Sequence, residues 1–79
     1  MPAPIRLTVA ARDLRVGDRI VGFTCDADAG ITGIEPVASG GGLMLSLVII
    51  DDDGHEIAGR TVFIAHPDIE YRIHRRPKW

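Results

Sequence analysis

The sequence predicts a single all-β domain, a small barrel of five or six short antiparallel strands. Segments in which apolar and polar residues alternate recur along the chain, and glycine, proline and aspartate residues separate them. No stretch shows a helical period over three turns. A barrel is the economical arrangement for so few strands, because closure removes the exposed sheet edges.

The length of the chain limits the functions that the fold can support. A domain of 79 residues buries only about 60% of the surface that its unfolded chain exposes, so the core is small and a large active-site cleft is not expected. The composition, 46% apolar and 25% charged, is that of a globular protein. We predict one barrel domain over residues 1–74 and a short basic C-terminal tail over residues 75–79.

The first half of the chain is expected to supply three strands. Residues 5–9 alternate and form the first strand, and residues 13–18 turn the chain. A second strand covers residues 19–24, and a polar loop follows at 25–30. The third strand, residues 30–37, is weaker because it contains glycines and a proline.

The second half contains the strongest strand, residues 43–50, after a glycine-rich connection. Residues 51–54 form a hairpin turn, since Asp-Gly suits the positive backbone angles of a tight turn. The return arm covers residues 55–65 and Gly59 marks a bulge within it. One more turn leads to a last strand at residues 69–74.

One stretch resembles known families. Residues 13–21, DLRVGDRIV, are similar to the DLxxGD-hydrophobic pattern common in small SH3-like barrels, including uncharacterised small proteins of actinobacteria and their phages. With Gly30, Gly33 and Ile34 the stretch also resembles the KOW motif of ribosomal and transcription-elongation proteins. The resemblance covers about a third of the chain and implies an SH3-like barrel. The KOW loop usually carries lysines, whereas residues 25–29 are CDADA, which argues against RNA binding through that loop.

The cysteine content and the apolar runs predict a cytoplasmic protein. The single cysteine, Cys25, cannot form an intramolecular disulfide, which favours a reducing compartment. The N-terminal residues lack the basic region of a signal peptide and are interrupted by prolines and arginines. The longest apolar run, residues 43–50, is far shorter than the ~20 residues that span a bilayer as a helix, so no membrane association is expected.

The strand at residues 43–50 predicts an apolar surface. Its odd-numbered side chains fill the barrel if the strand alternates. Three apolar side chains then face outward: Met44, Val48 and Ile50. Either another segment of the chain covers this stripe, or it is the interface of a homo-oligomer or of a protein partner.

Two groups of polar residues suggest metal or thiol chemistry, and neither has the required spacing. Residues 51–56, DDDGHE, lack the ligand spacing and length of a calcium loop, so a solvated turn is predicted. Cys25 is flanked by carboxylates, and it forms no zinc-binding pattern with His55, His66 and His74. We therefore expect no catalytic residue, no metal site and no cofactor.

The C-terminal residues suggest a second kind of surface. Residues 72–79 carry a charge of +4, while residues 1–71 contain five basic and eleven acidic side chains, a charge of −6. Arginine forks suit phosphates and an indole stacks on unpaired bases. The candidate nucleic-acid-binding residues are Arg72, Arg75, Arg76, Lys78 and Trp79. The competing interpretation is that this basic end pairs with acids of the same chain or of a partner.

The sequence therefore predicts a non-enzymatic protein–protein interaction or adaptor module. Its partner is another protein or a second copy of the chain, contacted through Met44, Val48 and Ile50. The resemblance to phage and actinobacterial proteins implies a module of the kind that a phage or an actinobacterium encodes. The alternative function is a nucleic-acid-binding accessory protein that uses its basic C-terminal strand and tail.

Overall fold

The computed structural model describes residues 4–24, 27–37, 41–51 and 53–76, which form an all-β fold. The strands are β1 (Ile5–Ala10), β2 (Arg19–Ile20), β3 (Asp28–Pro36), β4 (Leu43–Ile50), β5 (Glu56–Ala65) and β6 (Glu70–Arg75). A single 3₁₀ turn, Ala11–Asp13, is the one helical element of this part of the chain. The predicted all-β class and the predicted number of strands are confirmed.

The six strands form one antiparallel sheet in the order β1-β6-β2-β3-β4-β5. The two-residue strand β2 joins the pair β1–β6 to the unit β3–β4–β5. Strands β1 and β5 are the two edges, and in the described residues they do not pair with each other. The described sheet is therefore not closed between β1 and β5, which is compatible with a small, incompletely closed barrel.

The core lies on one face of this sheet. Cross-strand partners point to the same side, and the register places Ile20 opposite both Ala29 and Ile73, and Ile31 opposite Leu47. The buried cluster consists of Ala11, Leu14, Ile20, Ala29, Ile31, Leu45, Leu47, Ala65 and Ile73. Because five of the six strands contribute to this single cluster, the sheet must curve around it. We call the core side the inner face and the opposite side the outer face.

Strand β2 is shorter than the strand predicted over residues 19–24. The chain turns directly after Ile20, at Gly22, whose φ is 66°. The Gly22 N–H donates to Asp28 Oδ1 at 2.8 Å, which fixes this turn against the start of β3. A left-handed backbone angle is available to glycine at little cost, so the glycine ends the strand.

Strand β3 begins earlier than predicted, inside the segment expected to be a polar loop. Ala27 and Ala29 are buried, and Asp28 between them faces outward. The register against β4 shifts between Ile31 and Gly33, which indicates a bulge. Small apolar residues beside the aspartates make this segment a strand with a buried side.

Strand β4 has the predicted bounds, and the predicted hairpin turn follows it. The Gly54 N–H donates to the Asp51 carbonyl at 3.0 Å, and Gly54 has a φ of 87°. In β5, three steps from Ala58 to Thr61 span the distance that two steps from Leu47 to Ile49 span in β4. The extra residue places a bulge at the predicted segment around Gly59.

Strand β6 is one residue displaced from its predicted position. It begins at Glu70, because the turn at His66 includes Ile69, whose N–H donates to the His66 carbonyl at 3.2 Å. It ends at Arg75, which pairs with Ile5 of β1. Arg75, the first residue of the predicted tail, is therefore part of the sheet.

Candidate interaction surfaces on the outer face

The outer face of the sheet divides into an apolar and a cationic half. On β4 and β5 it carries the apolar face, which we define as Met44, Val48, Ile50, Val62 and Ile64. Two exposed glutamates lie at its margins, Glu35 opposite Met44 and Glu56 opposite Ile50. On β1 and β6 it carries the cationic face, which we define as Arg6, Thr8, Arg72 and His74. Both sets follow from the register, because residues directly opposite each other in neighbouring strands share a side.

The β4 part of the apolar face was predicted. Leu45 and Leu47 are fully buried on the inner face, which leaves Met44, Val48 and Ile50 on the outer face, where each is half-buried. These three side chains are not fully exposed, and a glycine explains part of the burial. A Cβ at Gly30 would lie 2.8 Å from Ile50 Cδ1 and 3.3 Å from Val48 Cγ2, so both side chains lie over the bare backbone of β3.

The β5 part of the apolar face was not predicted from the sequence. Val62 lies opposite Ser46 and Ile64 opposite Met44, and these two side chains are 60% and 57% exposed. They contribute more accessible apolar surface than the β4 residues do. The alternation of side chains in a strand could have predicted this exposure. Thr61, Phe63 and Ala65 line the inner face, so Val62 and Ile64 between them point to the outer face.

Strand β5 also presents a free edge. It pairs with β4 on one side, and no strand of the described chain pairs with its other side. Its sequence, EIAGRTVFIA, contains no proline and one basic residue, Arg60. Proteins commonly protect such edges with lysine, proline, bulges or very short strands. In β5 the bulge near Gly59 leaves residues 61–65 as the regular part of the edge.

The cationic face forms a shallow groove of about 430 Å³. Arg6 lies directly opposite His74, and Thr8 opposite Arg72. The lining residues are Arg6, Leu7, Thr8, Val21, Arg72, Ile73 and His74, and they include no carboxylate within the part of the chain that the structure describes. The pairing of the first and last strands therefore brings cationic side chains from both ends of the sequence together.

Arg75, a predicted nucleic-acid contact, forms an ion pair with Asp18 of the same chain. Its Nε donates to Asp18 Oδ1 at 2.9 Å and its Nη2 to Asp18 Oδ2 at 2.8 Å, a bidentate pair. The Arg75 Nη2 also donates to the Asp13 carbonyl at 3.1 Å. The hydrogen bonds to Asp18 outweigh partial burial and raise the pKa of Arg75. This agrees with the competing interpretation of the basic end, pairing with acids of the same chain.

The turn of the DLRVGD stretch holds Asp18 in place. Gly17 has a φ of 97°, and its N–H donates to the Ile31 carbonyl at 2.9 Å. The Asp18 carboxylate, 2% exposed, also accepts from the Arg15 N–H at 2.8 Å. The stretch therefore joins the turn before β2 both to β3 and, through Arg75, to the end of β6.

The remaining predicted tail residues fall into two groups. Arg72 and Arg76 are exposed, and Arg72 lies on the cationic face. Lys78 and Trp79 lie outside the described residues. The structure thus brings Arg72 together with Arg6 and His74, and it places Arg75 on the other side of β6.

A second ion pair joins β2 to β3 near the cationic face. Arg19 Nε donates to Asp28 Oδ2 at 2.6 Å, and Arg19 Nη2 donates to the Asp51 carbonyl at 3.1 Å. Burial alone would raise the pKa of Asp28. The hydrogen bonds from Gly22 and Arg19 more than compensate, together with the positive charges nearby, and the pKa of Asp28 is lowered.

The predicted solvated turn has a structural role. One ligand atom each from Asp51, Asp53 and His55 lie within 4.8 Å of one another. However, Asp51 Oδ1 already accepts hydrogen bonds from the backbone N–H groups of Asp53 and His55, at 3.0 and 2.9 Å. This is the bonding of a side chain that stabilises a turn, and the geometry supplies no further sign of a metal site.

The three histidines weighed for thiol or zinc chemistry lie on separate elements of the described chain. Cys25 lies outside the described residues. His66 Nδ1 accepts a hydrogen bond from the Asp68 N–H at 3.2 Å within a turn, His55 lies beside the hairpin turn, and His74 lies on the cationic face.

A comparison of the chain with protein-family models, with curated proteins and with solved structures finds no match. Among the described residues, no helix has the length and apolar character needed to cross a membrane.

Proposed function

We propose that the protein is a non-enzymatic interaction module that associates with a second copy of itself through the apolar face. The observation that carries this proposal is the group of outward apolar side chains on β4 and β5, in which Val62 and Ile64 are more than half exposed. Exposed apolar patches on a small domain mark contact surfaces or aggregation sites. Covering such a surface gains roughly 25 cal/mol for each Å² of apolar area removed from water.

A second copy is the occupant that the geometry favours. The five side chains of the apolar face are uncharged, so the surface is self-complementary and suits an isologous contact around a two-fold axis. The free edge of β5 lies next to it, and the pairing of two such edges would satisfy the backbone groups that are unpaired in one copy.

The fold of this module is proposed to be of the SH3-like kind. The resemblance at residues 13–21 supports this, and so does the tight turn that these residues form immediately before β2. The open ladder and the six strands are compatible with it.

The test is the mass of the particle in solution with and without the apolar face. The double variant Val62→Lys/Ile64→Lys introduces two charges at exposed positions and leaves the inner face unchanged. We expect light scattering after size exclusion to show a dimer or larger particle for the natural sequence and a monomer for the variant. The control for each substitution is Val16→Lys, which introduces one such charge at a turn residue that is 64% exposed.

Two outcomes would contradict self-association through this face. The first is a natural chain that remains monomeric up to high concentration. The second is a Val16→Lys variant that loses association as completely as the double variant does. Circular dichroism on each variant establishes that the chain is folded before its mass is interpreted.

Nucleic-acid binding by the basic end remains the alternative prediction. Arg72 supports it through its place on the cationic face, whereas Arg75 does not, because its guanidinium is paired with Asp18.

A further inference from the structure

We infer that the cationic face binds the phosphate groups of a single-stranded nucleic acid, with Arg6 and Arg72 as the principal contacts. The inference goes beyond self-association and uses none of the residues of the apolar face. It moves the binding site from the C-terminal tail to the paired strands β1 and β6. Arg6, which the sequence did not single out, becomes its defining residue.

The first support is the arrangement of donors. Arg6 and Arg72 occupy diagonal positions on adjacent strands. His74 lies opposite Arg6, and Thr8 lies opposite Arg72. Diagonal neighbours in a sheet are roughly 7–8 Å apart, so two guanidinium groups and a hydroxyl can approach one extended backbone. No ion pair within the described residues involves Arg6 or Arg72.

The second support is the charge of the surroundings. The groove itself is lined by no described carboxylate. Two carboxylates lie at neighbouring outer-face positions: Asp28, which Arg19 binds, and Glu70, opposite Ala10. Arg75 and Arg19 neutralise Asp18 and Asp28 respectively. The protein is acidic overall, yet this groove keeps its positive charge.

The shape of the site favours an extended ligand. The groove is shallow and crosses two strands, one of which, β1, is a sheet edge. A positively charged groove can track the backbone of a single strand. No described aromatic residue lies on this face, since Tyr71 is on the same side of β6 as the buried Ile73. We therefore expect contacts to phosphate with little dependence on base sequence.

The experiment measures the fluorescence anisotropy of a labelled 12-nucleotide oligo-dT with the full chain over a range of salt concentrations. Each phosphate contact of a single strand contributes about −0.7 to the slope of log affinity against log salt. Two arginine contacts predict a slope of about −1.4, and Arg6→Ala or Arg72→Ala should each reduce its magnitude by about 0.7.

The matched control is Arg60→Ala. It removes the same charge from an exposed arginine of β5, at the other end of the strand order. We expect Arg60→Ala to bind as the natural chain does. NMR titration with the same oligonucleotide should shift the backbone amides of residues 6–8 and 72–74.

Three results would overturn the inference. One is the absence of oligonucleotide binding at low salt. Another is equal weakening by Arg6→Ala and Arg60→Ala, which would indicate attraction to the net charge alone. The third is a response of the groove amides to inorganic phosphate without binding of the oligonucleotide, which would assign the groove to a small anion. None of these results bears on self-association, because the two faces share no residue.

Discussion

At the scale of single residues, the buried ion pair of Asp18 and Arg75 connects the turn before β2 to the last strand. The side chains are 2% and 19% exposed, and the Asp18 carboxylate accepts three hydrogen bonds. Removing one partner of a buried pair leaves the other charge unpaired, at a cost of about 3–5 kcal/mol. We predict that Asp18→Asn lowers the free energy of unfolding by about 3 kcal/mol, measured by urea denaturation.

The control for this prediction is the exposed pair of Arg12 and Asp68, whose side chains are 59% and 69% exposed. Asp68→Asn should cost less than about 1 kcal/mol. Equal effects of the two substitutions would show that Asp18 contributes no more than a surface charge does.

Asp28 gives the stability of the fold a dependence on pH. Its pKa in the folded protein is lowered, so its ionised form stabilises the folded state. That contribution is fully present above the unfolded pKa of about 3.9 and is lost as the pH falls through the lower folded value. Asp28→Asn should therefore lower the free energy of unfolding at pH 6 and have a smaller effect at pH 2.5.

Chemical denaturation of both chains at the two pH values measures this difference. Asp53→Asn, at an exposed carboxylate of the hairpin turn, is the control for removing one negative charge. An effect of Asp28→Asn that is the same at pH 6 and pH 2.5 would contradict the assignment.

At the scale of the strands, the Val48 and Ile50 side chains of β4 pack over Gly30 of β3. We predict that Gly30→Ala destabilises the fold by less than about 1 kcal/mol relative to Gly33→Ala, because the Ile50 Cδ1 methyl is the end of a side chain that can rotate away. The new Cβ at position 30 would lie 2.8 Å from Ile50 Cδ1, whereas a Cβ at position 33 would make ordinary contacts of 3.5 Å with Ser46. Thermal denaturation compares the two variants, and a more stable Gly30→Ala chain would refute the close packing of Ile50 over β3.

The strand pattern could be predicted from the sequence where local signals determined it. The alternation of residues 43–50 and the Asp-Gly turn at Gly54 gave β4, the hairpin and the bulged return strand. The short β2 could not be predicted, because Gly22 ends it through a hydrogen bond to Asp28 that depends on the turn between them. Propensity alone favoured continuing the strand through residue 24.

The candidate surfaces depended on contacts between distant parts of the chain. Asp18 and Arg75 are 57 residues apart, so nothing local showed that this arginine has an internal partner. Arg6 and Arg72 meet because β1 pairs with β6. The outward direction of Met44, Val48 and Ile50 followed from alternation alone, whereas the larger exposure of Val62 and Ile64 required β5 to be the edge.

At the scale of the whole molecule, one sheet provides three surfaces. Its inner face encloses the core, and its outer face is cationic on β1 and β6 and apolar on β4 and β5. The edges β1 and β5 lie at the ends of the ladder, one beside each outer surface. Association of two copies through the apolar halves would leave both cationic halves accessible, so the two proposed activities are compatible in one particle.

The most direct test of self-association is an isotope-filtered NOE experiment on an equimolar mixture of labelled and unlabelled chains. We expect intermolecular contacts from the methyl groups of Val62 and Ile64 to the apolar face of the other copy, and none from Val16. Intermolecular contacts that involve only other surfaces, or a monomer without such contacts at millimolar concentration, would contradict the proposal that the apolar face is the interface.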